Sequence, residues 1–216
     1  MRFAGILLFG IFYGMAVNAQ GTDGNLLKIR QQLEQVTEAR ANASLELNID
    51  FINMPMKQAE FHYRKGKPIS YTSEDFIIIP KRGMDFSWSE LFRHEFMTVD
   101  RGTEIIGSRA LKVLNVIPID RKADFAIMTL KLDTTAGHII IAEITSKNDG
   151  SYSLLLDYEE NVPFPNKITV EFALERIRIP LNFMGKDTEI DKEQLKGDGL
   201  KKGKILLTMQ WHEIRF

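Results

Sequence analysis

The sequence predicts a mainly β protein of α+β class: a large curved antiparallel sheet or barrel, led by one amphipathic helix and interrupted by a short second helix. Three observations predict it. Residues 43–51 alternate apolar and polar without a break. A series of further short strand candidates follows, several joined by turn signals. Only two stretches carry helical spacing, Asp23 to Ala41 and the residues around Ser87 to Phe92.

In the first helix Leu26, Ile29, Leu33 and Val36 recur at spacings of three and four, with Lys28, Arg30, Gln32 and Glu34 on the other face. That pattern buries one stripe and wets the rest. The strand that follows places Ala43, Leu45, Leu47, Ile49 and Phe51 on one phase and Ser44, Glu46, Asn48 and Asp50 on the other. Period two means one buried face and one solvated face. Ala59, Phe61 and Tyr63 repeat the pattern against Glu60, His62 and Arg64, and Met54-Pro55 separates the two runs because proline cannot donate to a ladder.

Further strands are expected over 75–79, 111–119, 125–132, 138–145, 151–158, 167–174 and 204–214. Thr134 to Gly137 and Asn148-Asp149-Gly150 supply hairpin turns, so consecutive strands pair as a meander. Ser87-Trp88-Ser89-Glu90 forms a capping box flanked by Phe86 and Leu91 at staple positions. Trp88, Leu91 and Phe92 then share a face, and 83–102 reads as a capped, aromatic-rich insertion between strands. The polar, glycine-containing stretch 181–203 reads as a long loop before the last strand.

The first residues, MRFAGILLFGIFYGMAVNAQ, have the form of an export signal. Arg2 is followed by an apolar run from Phe3 to Tyr13 and by the small-residue exit Val17-Asn18-Ala19, which places cleavage before Gln20. The expected organisation is a leader over 1–19 and one domain over 20–216. The run is short for a membrane span, which takes about 20 residues.

Composition narrows the function. The chain has no Cys, so thiol catalysis, cysteine-ligated zinc and a lipid-modified N-terminal cysteine are excluded. Lys and Arg number 28 against 29 Asp and Glu, and no basic stripe invites nucleic acid. His62, His94, His138 and His212 show no metal-ligand spacing, and no nucleophile elbow occurs. Gly199 to Lys204 departs from a phosphate loop in its glycine spacing and has Ile205 where Ser or Thr would hold magnesium. Asn42-Ala43-Ser44 fits a glycosylation sequon, which chance also supplies. No catalytic residue, metal or cofactor is expected, and the chain reads as a non-enzyme.

The apolar content is more informative. Strands 125–132 and 138–145 carry apolar residues on both phases and must be covered on both sides. A curved sheet with a helical lid over an apolar interior satisfies this. The interior is either a packed core or a space for apolar ligands. The candidate lining is Leu45, Leu47, Ile49, Phe61 and Tyr63 from the sheet, with Ile29, Leu33, Trp88, Leu91 and Phe92 from the helices.

Several segments carry a resemblance in their order along the chain. They are Phe61-His-Tyr63-Arg-Lys-Gly66-Lys67-Pro68-Ile-Ser-Tyr71, then Phe76 to Gly83, then Leu130-Lys-Leu132-Asp133. Gly150-Ser-Tyr-Ser-Leu-Leu-Leu-Asp-Tyr158 and Pro165-Asn-Lys-Ile168-Thr-Val170 complete the set. Over roughly residues 25–215 the chain resembles a divergent branch of the LolA-like outer-membrane lipoprotein carriers. The resemblance implies a half-open, strongly curved antiparallel β-barrel closed by helices. It implies a periplasmic protein of the Gram-negative envelope whose cavity takes lipoprotein acyl chains or other lipids. The implied partners are that lipid cargo and the lipoprotein-sorting components of the inner and outer membranes, with the chain acting as a monomer. The same fold also serves periplasmic sensors that bind lipidated ligands and a membrane partner. The arginine with which such carriers tie lid to barrel has no match here, since Arg64 falls on the polar phase.

Overall fold

The computed structural model describes residues 21–67, 70–73, 92, 94–147, 150–174, 187–197 and 200–216. The leader, the strand expected at 75–79, the capping box and the side chains of Trp88 and Leu91 lie outside them. Among the described residues, two helices and twelve strands have both ends defined, in chain order. These are α1 (Gly24–Gln35), β1 (Glu38–Asn48), β2 (Ile52–Asn53), β3 (Lys57–Arg64), β4 (Ser70–Thr72), β5 (Phe96–Ile106), β6 (Arg109–Pro118) and β7 (Phe125–Asp133). After them come β8 (His138–Ser146), β9 (Ser151–Tyr158), β10 (Pro165–Leu174), β11 (Glu189–Ile190), α2 (Lys192–Lys196) and β12 (Lys201–Arg215).

Ten strands form one antiparallel sheet in the order β4-β3-β1-β12-β10-β9-β8-β7-β6-β5, and β2 with β11 forms a separate two-stranded ribbon. From β5 to β10 each strand pairs with its chain neighbour, the expected meander. The last strand then pairs with the first over a long register, from Glu38 opposite Arg215 to Asn48 opposite Lys204. The sheet remains open: β4 and β5 are its edges, and among the described residues no strand joins them. The expected half-open barrel is met in part, as one large antiparallel sheet that does not close.

One face of the sheet carries the core. Ala41, Ala43 and Leu45 of β1 lie opposite Trp211, Met209 and Leu207 of β12. Ile205 faces Val170, Val170 faces Leu154, Leu154 faces Ala142, Ala142 faces Leu130 and Leu130 faces Leu114. Side chains directly opposite one another share a face, so this row is continuous across six strands. The members of this row are buried.

Three boundaries differ from expectation. The first helix stops at Gln35 rather than Ala41, and β1 begins at Glu38 rather than 43. The alanines at 39, 41 and 43 favour helix in isolation. Pairing with β3 and β12 instead buries each of them in the sheet. The β-branched pair Val36-Thr37 marks the change, with the Thr37 N–H bonded to the Arg215 carbonyl at 2.8 Å. Second, the insertion over 83–102 gives way at its end to β5, which runs through Gly102. Gly102 has φ +88° at a bulge between Asp100 and Thr103, a conformation that suits glycine. Third, the loop over 181–203 contains β11, α2 and the start of β12. Gly203 has a packing reason: a Cβ there would lie 2.4 Å from Phe172, its cross-strand partner.

Candidate functional site

Period-two alternation places Leu45 and Ile49 in the core, and Phe61 joins them from β3 through its pairing with Ala41. Leu47 and Tyr63 are partly buried against the same cluster. From α1, Ile29 is buried and Leu33 packs beside it, and Phe92 lies against Phe96 with ring centroids 6.2 Å apart. The eight described members of the expected lining therefore meet in one apolar cluster. Trp88 and Leu91 lie outside the described residues. The cluster is wider than the sequence list. Ile168, Val170, Leu154, Leu156, Leu130, Leu114, Ile205, Leu207 and Met209 contribute as much, and their period-two spacing within the predicted strands was the signal for them.

Helix α1 covers part of this face and is fixed at both ends by polar contacts. Asp23 caps it: its Oδ1 accepts the Asn25 and Leu26 N–H groups at 2.8 and 3.4 Å. Its Oδ2 accepts Lys112 Nζ at 2.7 Å, and its own N–H donates to Thr98 Oγ1 at 2.8 Å. The cap is thus tied to β5 and β6. Burial pushes the Asp23 carboxyl up, but Lys112 and the helix N–H groups outweigh that and hold it below its ordinary value. At the other end Lys65 donates to the Glu34 carbonyl, where a cation suits the helix dipole. Between the ends Arg30 bridges outward to Glu34 at 2.7 Å and lies 5.7 Å from the centre of the Phe92 ring.

The β3–β1–β12 end of the face is aromatic. Phe61 and Trp211 flank Ala41 from opposite sides and meet edge to face at 5.4 Å. Tyr71 adds to Phe61 at 5.3 Å, and Phe164 stacks on Trp211 at 5.1 Å and reaches Tyr63 at 6.0 Å. The small Ala41 side chain is what lets two rings on strands either side of it touch. Trp211 spends its one donor on the Pro165 carbonyl at 3.1 Å.

Residues 187–191 lie near the far end of β1. Glu189 and Ile190 pair with Asn53 and Ile52, and the Asp191 N–H bonds to the Phe51 carbonyl at 2.9 Å. Asp187 forms an ion pair with Lys57, a lysine opposite Leu45 on the inner face whose side chain is only 2% exposed.

The outer face is polar and ionic. Glu38 accepts from His62 or pairs with it at 2.8 Å, and takes Arg40, Arg64 and Arg215 at 3.1 to 3.2 Å. His62, then Arg64, hold the Glu38 carboxyl down to about 2 against its own desolvation. Arg64 is thus on the outer face, as its phase predicts. His94 faces Asp120 at 2.9 Å, and His138 stacks on Tyr158 at 4.0 Å. Among the described residues no group of three or more His, Asp or Glu side chains is placed to hold a metal ion, and no helix is long and apolar enough to cross a membrane.

No family model and no curated protein matches the chain. It is similar to solved structures. One is a candidate outer membrane lipoprotein-sorting protein domain from Vibrio parahaemolyticus, at 12% identity over 88% of this chain and 91% of that one, TM-score 0.46. A second is a LolA superfamily protein from Nitrosomonas europaea, at 8% identity over 88% and 93%, TM-score 0.47. A third is a DUF1329 family protein from Desulfovibrio piger, at 10% identity over 89% and 90%, TM-score 0.48. These are likenesses of outline, and what the site can do rests on this chain's own residues.

Proposed function

We propose that the chain is a periplasmic carrier or binding protein for acyl chains, of lipoproteins or of other lipids, acting in outer-membrane lipoprotein localisation. One observation carries this: a continuous apolar face spanning most of a ten-stranded sheet has, over part of it, the twelve-residue helix α1 held at its ends by polar contacts. A lid attached that way can leave without dismantling the sheet. The export signal and the resemblance in the sequence agree with the reading.

The mechanism is physical. Each CH₂ moved from water to an apolar interior gains about 0.8 kcal/mol, so an acyl chain binds the face that α1 and the Phe92 side chain vacate. Release then needs an acceptor that offers equal burial. The chain's two tryptophans, Trp88 and Trp211, supply the test. With Trp211→Phe, Trp88 is the sole tryptophan reporter. Acyl ligand is expected to shift its emission, and Phe92→Ala to weaken ligand binding more than stability. If no acyl ligand shifts the emission and Phe92→Ala costs the ~3–5 kcal/mol of a core deletion, the face is an ordinary packed core.

A further inference from the structure

The geometry points to Lys57 as the anchor for the carboxylate of a single-chain anionic amphiphile, with Asp187 holding its place when no ligand is bound. The inference rests on the acyl-binding function proposed above and narrows its ligand class.

Lys57 belongs to the inward phase of β3, two and four residues from Ala59 and Phe61, and lies directly opposite Leu45. A position with these neighbours calls for an apolar side chain. A buried ammonium there is costly unless paired. The partner seen is the carboxylate of Asp187, which Lys57 Nζ reaches with both oxygens in range. The two sides of this pair differ. The lysine side chain is 2% exposed and fixed at the start of β3, where the strand pairs with β1; the aspartate side chain is 54% exposed and sits outside the ten-stranded sheet. Such a pair can exchange: Asp187 can move into water at small cost, whereas Lys57 cannot follow it. What replaces Asp187 must be an anion, or the ammonium is stranded, and a carboxylate reproduces the group seen there. Beside Lys57 runs a buried apolar row, Leu45 and then Leu207 and Ile168 in register. A ligand with an anionic head at Lys57 and an alkyl chain along that row satisfies both.

The test uses calorimetric titration of the mature chain with decanoate and with decanol, equal in chain length and different in head. The wild type is expected to bind decanoate about tenfold more tightly, the scale of a charge-assisted hydrogen bond. Lys57→Met should abolish that preference and leave decanol binding unchanged. Asp187→Asn removes the competing carboxylate and should raise decanoate affinity several-fold without affecting decanol. Should Lys57→Met fail to fold, the Asp187→Asn arm decides alone, and unchanged decanoate affinity there overturns the inference. Equal affinity of the wild type for both probes overturns the anchor and leaves acyl binding standing. Binding of neither overturns both.

Discussion

Asp23 Oδ2 lies 2.7 Å from Lys112 Nζ, so one carboxylate both caps α1 and fastens it to a strand 89 residues further along the chain. Thr98 completes the joint by accepting the Asp23 N–H and donating to the Gly21 carbonyl. Asp23→Ala should cost about 1–2 kcal/mol through the lost cap. The larger effect should be local. Hydrogen exchange in Gly24–Gln35 should speed up far more than exchange in β7 to β10, because the helix can open while the sheet persists. Uniform acceleration across both would show that α1 is an integral part of the core.

Acid should loosen the same joint. The Asp23 carboxyl is held below its ordinary value, so its contribution is complete above that value and is lost as pH falls through the folded one. Glu38 behaves alike on the outer face: with a folded value of about 2 against 4.5, its contribution is present above pH 4.5 and disappears towards pH 2. Stability measured by denaturant titration should therefore decline from pH 4.5 downward. Glu38→Gln should flatten that decline, and an unchanged pH slope in this variant would show that the arginine cluster contributes nothing to folding.

Ala41 should tolerate no larger residue. Ala41→Leu pushes apart Phe61 and Trp211, which meet over it at 5.4 Å. Overpacking of this kind costs about 1–3 kcal/mol. The expected signature is a lower midpoint in denaturant together with altered Trp211 emission, measured with Trp88→Phe in the background. A wild-type midpoint would mean that the rings have room to part.

Most of the sheet was legible from short apolar runs, alternating or two-faced, bounded by turn signals: 151–158 coincides with β9, and 111–119, 125–132 and 138–145 match β6, β7 and β8 to within two residues. What was missed follows from long-range contacts. Ala39, Ala41 and Ala43 carry helical propensity, and only the pairing of β1 with β12 makes them strand. β5 has an exposed stretch around Gly102, which hides its alternation. The pair of Lys57 and Asp187 lies 130 residues apart, and no local pattern links them. The buried residues of the inner face were legible as a phase. The latch at Asp23 was not, because a cap is visible in sequence but its strand partner Lys112 is not.

The central claim is that the inner face takes acyl chains, and native mass spectrometry of the protein purified from its own envelope tests it most directly. The account predicts a bound species heavier than the mature chain that is lost on delipidation and identified as an acyl-bearing molecule. Mature protein that carries no lipid from its envelope, and that takes up none when decanoate is added, would contradict it.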